Sequence, residues 1–211
     1  MDEIANPTLQ RIRDAALDEF LAKGFRGASL RNIVKTAGVT TGAFYGYYGS
    51  KEELFDALVR PHADHLMGLY DASMEEFWAM SPEYQETHVG EVGSRCMHDM
   101  MVYCYEHRRE CQLLFKGAEG TKHENFMHEF VEKEIRSTHE FEEKLSGRGY
   151  EIAGMSESFE HIITSGMFAA LVEPLVHEMP LDEAIENARM VHEFYTAGWM
   201  HIIGLHKGKE E

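Results

Sequence analysis

Apolar residues recur every three or four positions along almost the whole chain, and no stretch alternates strictly between apolar and polar, so the pattern predicts an all-α protein of about nine helices. The first helix carries Leu9, Ile12, Ala16 and Phe20 on one stripe; Asn6 is placed to cap it, Pro7 suits its first position, and Gly24 ends it. A shorter helix with Leu30, Ile33, Val34 and Ala37 follows a capping Ser29, and a third begins at Thr40 after the Gly38-Val39 turn. Ile12, Phe20, Ile33, Val39 and Phe44 are the expected core of these three. Ser50, with Glu53 three residues on, reads as the capping box of a long fourth helix that reaches to about Met80 and is expected to kink at Pro61.

Further along, Ser81-Pro82 opens a helix to about Tyr105, Glu106 to Arg109 breaks it, and Glu110 to Phe115 forms a short helix stopped by Gly117 and Gly120. Residues 124–146 form another. The last two helices, Ser156 to Val176 and Leu181 to about Leu205, have wide apolar faces interrupted by small residues, which suits close helix pairing between two copies of the chain. The candidate homodimer interface is Phe159, Ile163, Gly166, Met167, Ala170, Ala188, Val191, Tyr195 and Trp199.

Charge divides the chain. The formal charge is -17, yet residues 1–60 carry eight basic and eight acidic side chains, so the whole excess lies beyond residue 60. Residues 20–51 hold Lys23, Arg26, Arg31, Lys35 and Lys51 and no acid, in the window that contains the two short helices. A basic window there fits a polyanion, whereas the acidic remainder would repel one. The expected boundary places an N-terminal domain at 1–55, with the fourth helix starting near 50 as its linker, and a second domain at 56–211. No unbroken apolar run approaches the roughly 18 residues of a membrane span, and residues 1–7 lack the basic start and apolar core of a signal peptide. Cys96, Cys104 and Cys111, odd in number and without C-x-x-C spacing, fit reduced thiols, so a cytoplasmic protein is expected.

Gly38 to Leu54 reads as helix, tight turn and helix offered to solvent. Its residues, with Ala15-Ala16, Phe20, Gly24-Phe25, Ser29, Ile33, Ala37-Gly38-Val39, Gly42, Phe44-Tyr45, Tyr47-Tyr48 and Ser50-Lys51-Glu52-Glu53-Leu54, closely resemble the DNA-binding domain of the TetR family of bacterial regulators. The resemblance covers about residues 8 to 55, and beyond them only the architecture is shared. It implies a homodimer whose first three helices form a helix-turn-helix domain on a palindromic double-stranded DNA operator, whose fourth helix links, and whose larger helical C-terminal domain binds a small-molecule effector and dimerises. It further implies DNA contacts from Ser29, Arg31, Thr40, Thr41, Gly42, Tyr45, Tyr47 and Lys51. Gly46 and Gly49 depart from the family pattern; a glycine inside the recognition helix would cost about 1 kcal/mol against alanine.

In the C-terminal part Met97, Met101, Tyr105, Phe115, Phe126, Phe130 and Met167 are the candidate effector pocket, adaptable sulfur and aromatic groups that suit an apolar or aromatic ligand, to which the acidic surroundings add a preference for positive charge. His123 and His128 are spaced one residue too far for an H-E-x-x-H zinc site. Cys104, His107 and Cys111 would share a face on one continuous helix, leaving a metal or thiol sensor as a rival reading, but the expected break near His107 removes that alignment. No nucleophile and base pair, no phosphate loop and no ligand-spaced cluster appears, so neither an enzyme nor a cofactor or metal is expected. The reading is a ligand-released repressor, with an activator carrying the same DNA-binding domain as the alternative.

Overall fold

The computed structural model describes residues 6–205, apart from the side chains of residues 87 and 89. Residues 1–5, read above for a targeting signal, lie outside the described residues. The described chain is all-α, with nine α-helices: α1 (Pro7–Gly27), α2 (Leu30–Thr36), α3 (Thr41–Tyr45), α4 (Lys51–Ala79), α5 (Pro82–Glu106), α6 (Arg108–Lys116), α7 (Phe126–Gly147), α8 (Glu157–Val176) and α9 (Leu181–Ile202). They fall into two compact units, one formed by the chain up to His65 together with His107–Phe126, the other by Leu66–Glu106 and the chain from Met127 onward. α4 contributes to both, through residues before and after His65.

In the first unit, Asn6 caps α1 by accepting the N–H groups of Thr8 and Leu9. Gly24 leaves helical geometry at φ 66° and ψ 171°, a region open essentially to glycine alone. That turn frees the Phe25 N–H to donate to the Gly117 carbonyl at 2.9 Å, which ties α1 to the end of α6. Ile12, Phe20, Ile33, Phe44 and Phe55 are fully buried, with Phe20, Phe25 and Phe55 in edge and stacked contact; Val39 is only partly covered.

Two local expectations are corrected. The Ser29 hydroxyl makes no capping bond to α2; instead its N–H donates to the Glu19 carboxylate at 3.0 Å, so α1 fixes the start of α2. Ser50 does accept the Glu53 N–H at 3.1 Å, but Glu53 reaches back to the Gly49 N–H at 2.7 Å, closing the capping box one residue early. Pro61 lies inside α4, which runs continuously from Lys51 to Ala79.

The second unit packs α5 and α8 along α9. Two clusters carry its core: Phe77, Val92, Phe141 and Leu145 in one, Met101, Ala184 and Ala188 in the other. Gly93 lets α5 approach α9 closely, because a Cβ there would lie 2.5 Å from Nε2 of His192. With a mean hydropathy of 1.2 over its most apolar window, α8 is the one helix among the described residues long and apolar enough to cross a membrane. Glu157 and Glu160 open it and Glu173 lies near its end; Met167, Phe168 and Leu175 are buried against the rest of the unit, while Phe159 and Ile162 are exposed.

Gly24→Ala adds a side chain with no atom nearer than 3.9 Å, so its effect is backbone strain alone. The expected loss is about 1–3 kcal/mol, measured by chemical denaturation; unchanged stability contradicts the tie between α1 and α6.

Candidate functional sites

Two features stand out, an exposed surface on the first unit and a cavity in the second. The surface is built around α3. Thr40 caps it by accepting the Ala43 N–H at 3.1 Å, and Phe44 anchors it in the core. The Arg13 Nε donates to the buried Tyr48 hydroxyl at 3.0 Å and the Arg11 Nε to the Ala37 carbonyl at 3.2 Å, so α1 holds both ends of the turn-helix segment. Thr40, Thr41, Gly42 and Tyr45 face solvent, Tyr45 with 55% of its surface exposed. Tyr47 is exposed at its edge, and its hydroxyl accepts from the Asn6 side chain at 3.0 Å. Gly46 is the C-cap of α3 and lies outside its interior, so the helix-propensity penalty expected of it does not apply.

The basic window contracts once its partners are placed. Lys23 pairs with Glu19 at 2.8 Å and Arg26 with Glu119 at 2.5 Å. The Lys51 ammonium donates to the carbonyls of Phe25 at 2.8 Å and Ala28 at 3.0 Å and lies 4.3 Å from the Phe25 ring centre. It therefore closes the junction of α1 and α2, with two of its three protons used. Arg31 and Lys35, exposed on α2, have no ion pair among the described residues and, unlike Lys51, no carbonyls gathered on them. Ser29, partly covered, lies at the foot of α2 beside them.

The cavity, of about 140 Å³ and partly open to solvent, is lined by α4, α5, α7, α8 and α9 within the second unit. Tyr70, Phe77, Phe141 and Trp199 supply aromatic walls, with Phe77 and Phe141 5.5 Å apart and Phe141 and Trp199 6.1 Å apart between ring centres. Glu134 is the one Asp, Glu, Lys or Arg among its lining residues. The Tyr70 hydroxyl donates to Glu134 Oε2 at 2.7 Å. Glu134 is deep in protein yet keeps some accessible surface, as a side chain that faces a cavity does. Burial pushes its carboxyl above the usual range, and the Tyr70 bond only partly opposes this. Burial likewise raises the Tyr70 hydroxyl and the Cys96 thiol and lowers His192, which favours neutral imidazole on the α9 wall.

Of the sequence candidates for a pocket, Met97 and Met167 line this cavity. Phe115 and Phe126, their rings tilted and 6.1 Å apart in the first unit, do not. Met101 packs on Ala184 and Ala188, Tyr105 donates to the carbonyls of Pro174 and Met179, and Phe130 lies behind Tyr70 against Phe168. Sequence reasoning missed Tyr70, Glu134, Phe141 and His192. The helical spacing of Phe130, Glu134, Ser137 and Phe141 contains the signal, because it sets Glu134 on the apolar stripe of α7.

The interface candidates divide between two surroundings. Phe159 is exposed beside Ile162, and across α9 Met190, Phe194 and Ile202 continue an apolar face on which Phe194 has 74% of its surface exposed. Ile163, Gly166, Ala170, Val191, Tyr195 and Trp199 are partly covered, whereas Met167 and Ala188 point into the unit and are buried. A Cβ on Gly166 would lie 2.9 Å from the Tyr195 hydroxyl, so α8 and α9 meet there within one chain.

His123 is held by Asp56 at 2.8 Å. The break at His107, φ −121° and ψ 43°, takes Cys104, His107 and Cys111 off a common helix face. One group that spacing alone did not reveal could hold a metal: His128 and Glu132, one turn apart on α7, meet His161 of α8 with donor atoms within 4.8 Å of one another.

Against known proteins, residues 12–58 match the family described as bacterial regulatory proteins, tetR family. The chain is 41% identical over 76 residues to the HTH-type transcriptional regulator SrpR of Pseudomonas putida, a stretch that covers 35% of this chain and 36% of that protein. It is equally 41% identical over 76 residues to the uncharacterized regulator TtgW, also of Pseudomonas putida, covering 35% of this chain and 57% of that one. The chain thus spans about a third to a little over half of the curated relatives it matches. Among solved structures, a TetR-like transcriptional regulator from a Rhodococcus species superposes with a TM-score of 0.55 at 20% identity, covering 90% of this chain and 96% of that one. The TetR-family regulator PfmR from Thermus thermophilus gives 0.54 at 20% identity, covering 88% and 93%. These structures share the fold.

Two outcomes follow from the geometry. Lys51→Ala strands two carbonyls at the α1–α2 junction and lowers stability by about 1–3 kcal/mol in the absence of any DNA; a thermal melt with an unchanged midpoint contradicts the fastening role. Glu134→Gln keeps the Tyr70 bond and removes a group whose charged form is penalised. A raised carboxyl costs nothing below its ordinary value of 4.5, where folded and unfolded chains are both protonated, and loses stability as pH climbs from there toward its raised folded value. The variant's stability relative to the parent therefore increases from about pH 4 to about pH 7 in denaturant titrations, and a gap that shrinks over that range contradicts the assignment.

Proposed function

The chain belongs to the TetR family of bacterial regulatory proteins through its N-terminal domain, and on that premise we propose that it is a ligand-responsive repressor that binds a palindromic operator as a homodimer. The observation that carries the reading is the α3 surface: inside the stretch that matches the family, Thr41 and Tyr45 are held outward by internal clamps while Arg31 and Lys35 stand exposed beside them without ion pairs among the described residues. Side chains on a recognition helix read base edges, and flanking cations hold phosphates and set the register.

The roles divide accordingly. Thr41 and Tyr45 contact bases or backbone in the major groove; Thr40 and Gly42 present the N-terminal turn of α3 to phosphate; Arg31, with Ser29 at the helix foot, positions the duplex. Tyr47 approaches phosphate by exchanging its Asn6 partner, and Lys51 acts chiefly by holding α1, α2 and α4 in register. The apolar face shared by α8 and α9 is the dimer contact, which pairs two such surfaces for two half-sites. The second-unit cavity is the effector site. α4 supplies Phe55 to the core of the first unit against Phe20 and Phe25, and Tyr70 and Phe77 to the cavity, so one helix belongs to both tasks. An effector releases DNA only if it binds the DNA-competent arrangement less well than the other. Activation with the same DNA contacts is the alternative, decided by a reporter assay with and without the protein.

Binding to duplex DNA measured across a salt series tests the DNA reading. The affinity falls steeply with salt, and Arg31→Ala lowers the slope of log K against log salt by about one while leaving the melting midpoint unchanged. Salt-independent binding, or an Arg31→Ala slope equal to the parent's, contradicts it.

A further inference from the structure

We propose that the second-unit cavity takes a small aromatic ammonium ion, with the Glu134 carboxylate as its counter-ion and the rings of Tyr70, Phe77, Phe141 and Trp199 around it. The inference rests on reading this cavity as the effector site and adds the charge and size of what enters.

Glu134 is costly where it stands. A buried carboxylate is normally paired with a cation or saturated by donors, because leaving water is expensive. Among the described residues Glu134 has no basic partner, and its hydrogen bond comes from a neutral hydroxyl, that of Tyr70. Glutamine would keep that bond at lower cost. The carboxylate thus acquires a full partner only when a cation arrives from outside, and the cavity beside it is where such a cation fits.

The walls agree with this partner and disagree with others. Aromatic faces attract cations through their ring quadrupoles, most strongly where water is excluded. Phe77, Phe141 and Trp199 form a contiguous series of rings on the lining. No Lys or Arg among the described residues lines the cavity to receive an anion, and His192 on its α9 wall favours its neutral form. Size narrows the class further. An apolar cavity of about 150 Å³ holds benzene, so the roughly 140 Å³ here accommodates a single ring, and the open side leaves room for a short amine-bearing arm. The net charge of -17, all of it beyond residue 60, draws cations to this part of the chain from a distance.

The test uses the full chain and calorimetric titration with benzylammonium, its neutral analogue benzyl alcohol, and the anion phenylacetate. Benzylammonium is expected to bind at least about tenfold more tightly than either, the order that a charge-assisted contact beside aromatic faces supplies. Glu134→Gln is expected to abolish that preference while melting no lower than the parent at neutral pH. Equal affinity for the ammonium and the alcohol, no binding of the ammonium, or an unchanged preference in Glu134→Gln each overturns the proposal; the first two are decided on the parent protein alone, whatever the variant's folding. Repeating the benzylammonium titration on the DNA-bound protein separates the two readings. Selective, Glu134-dependent binding without DNA release supports the cation site and counts against the ligand-released repressor.

Discussion

A helix of five residues has no stability of its own in water, since nucleation costs more than one or two hydrogen bonds return, and α3 is a helix of five residues. Everything about the first unit answers that constraint. Phe44 pins the helix from beneath, Thr40 caps its start, and Arg11 and Arg13 reach across from α1 to the preceding turn and to Tyr48. The Lys51 ammonium, set at the start of α4, gathers the loose carbonyls where α1 ends. Three basic residues that charge counting would send to a polyanion are thereby used inside the protein. What remains outside is a small surface in a fixed pose, which is what reading a rigid duplex requires.

The second unit makes the opposite trade. Its helices bury enough aromatic surface to close a core, yet they enclose a carboxyl at Glu134 and hold α5 and α9 close through a glycine at 93. Burial of that carboxyl works against the folded state at neutral pH. A site that lowers stability without packing benefit marks a place where the chain serves a partner rather than itself. The apolar face on α8 and α9, with Phe194 and Ile162 among its most exposed members, is the other surface left open to one.

Much of this was legible in the sequence because it is local. Asn6-Pro7, Thr40 and Ser156 mark helix starts that the structure retains, and the run from Gly38 to Leu54 carries its own family likeness. What was hidden is what depends on residues far apart. Lys51 reads as a free cation until Phe25 and Ala28 are placed beside it, and Ser29 reads as a cap until Glu19 takes its N–H. Glu134 sits in Glu132-Lys133-Glu134, a triplet that looks like a solvated face, and only the turn-by-turn register with Phe130 and Phe141 turns it inward. Phe115 and Phe126 have the pocket's composition but pack with the first unit, since α6 returns there. Composition identifies the chemistry available to a cavity and is silent on which copies of it converge.

Central to this reading is a pair of α3 surfaces, one from each of two chains, on a single duplex. Selection of bound sequences from a pool of random duplexes, using the full chain at moderate salt, addresses it directly and needs no known operator. The predicted result is enrichment of an inverted repeat whose half-sites lie about one helical turn, roughly 34–36 Å, or a multiple of it apart. No enrichment, or enrichment of single half-sites with no symmetric partner, contradicts it.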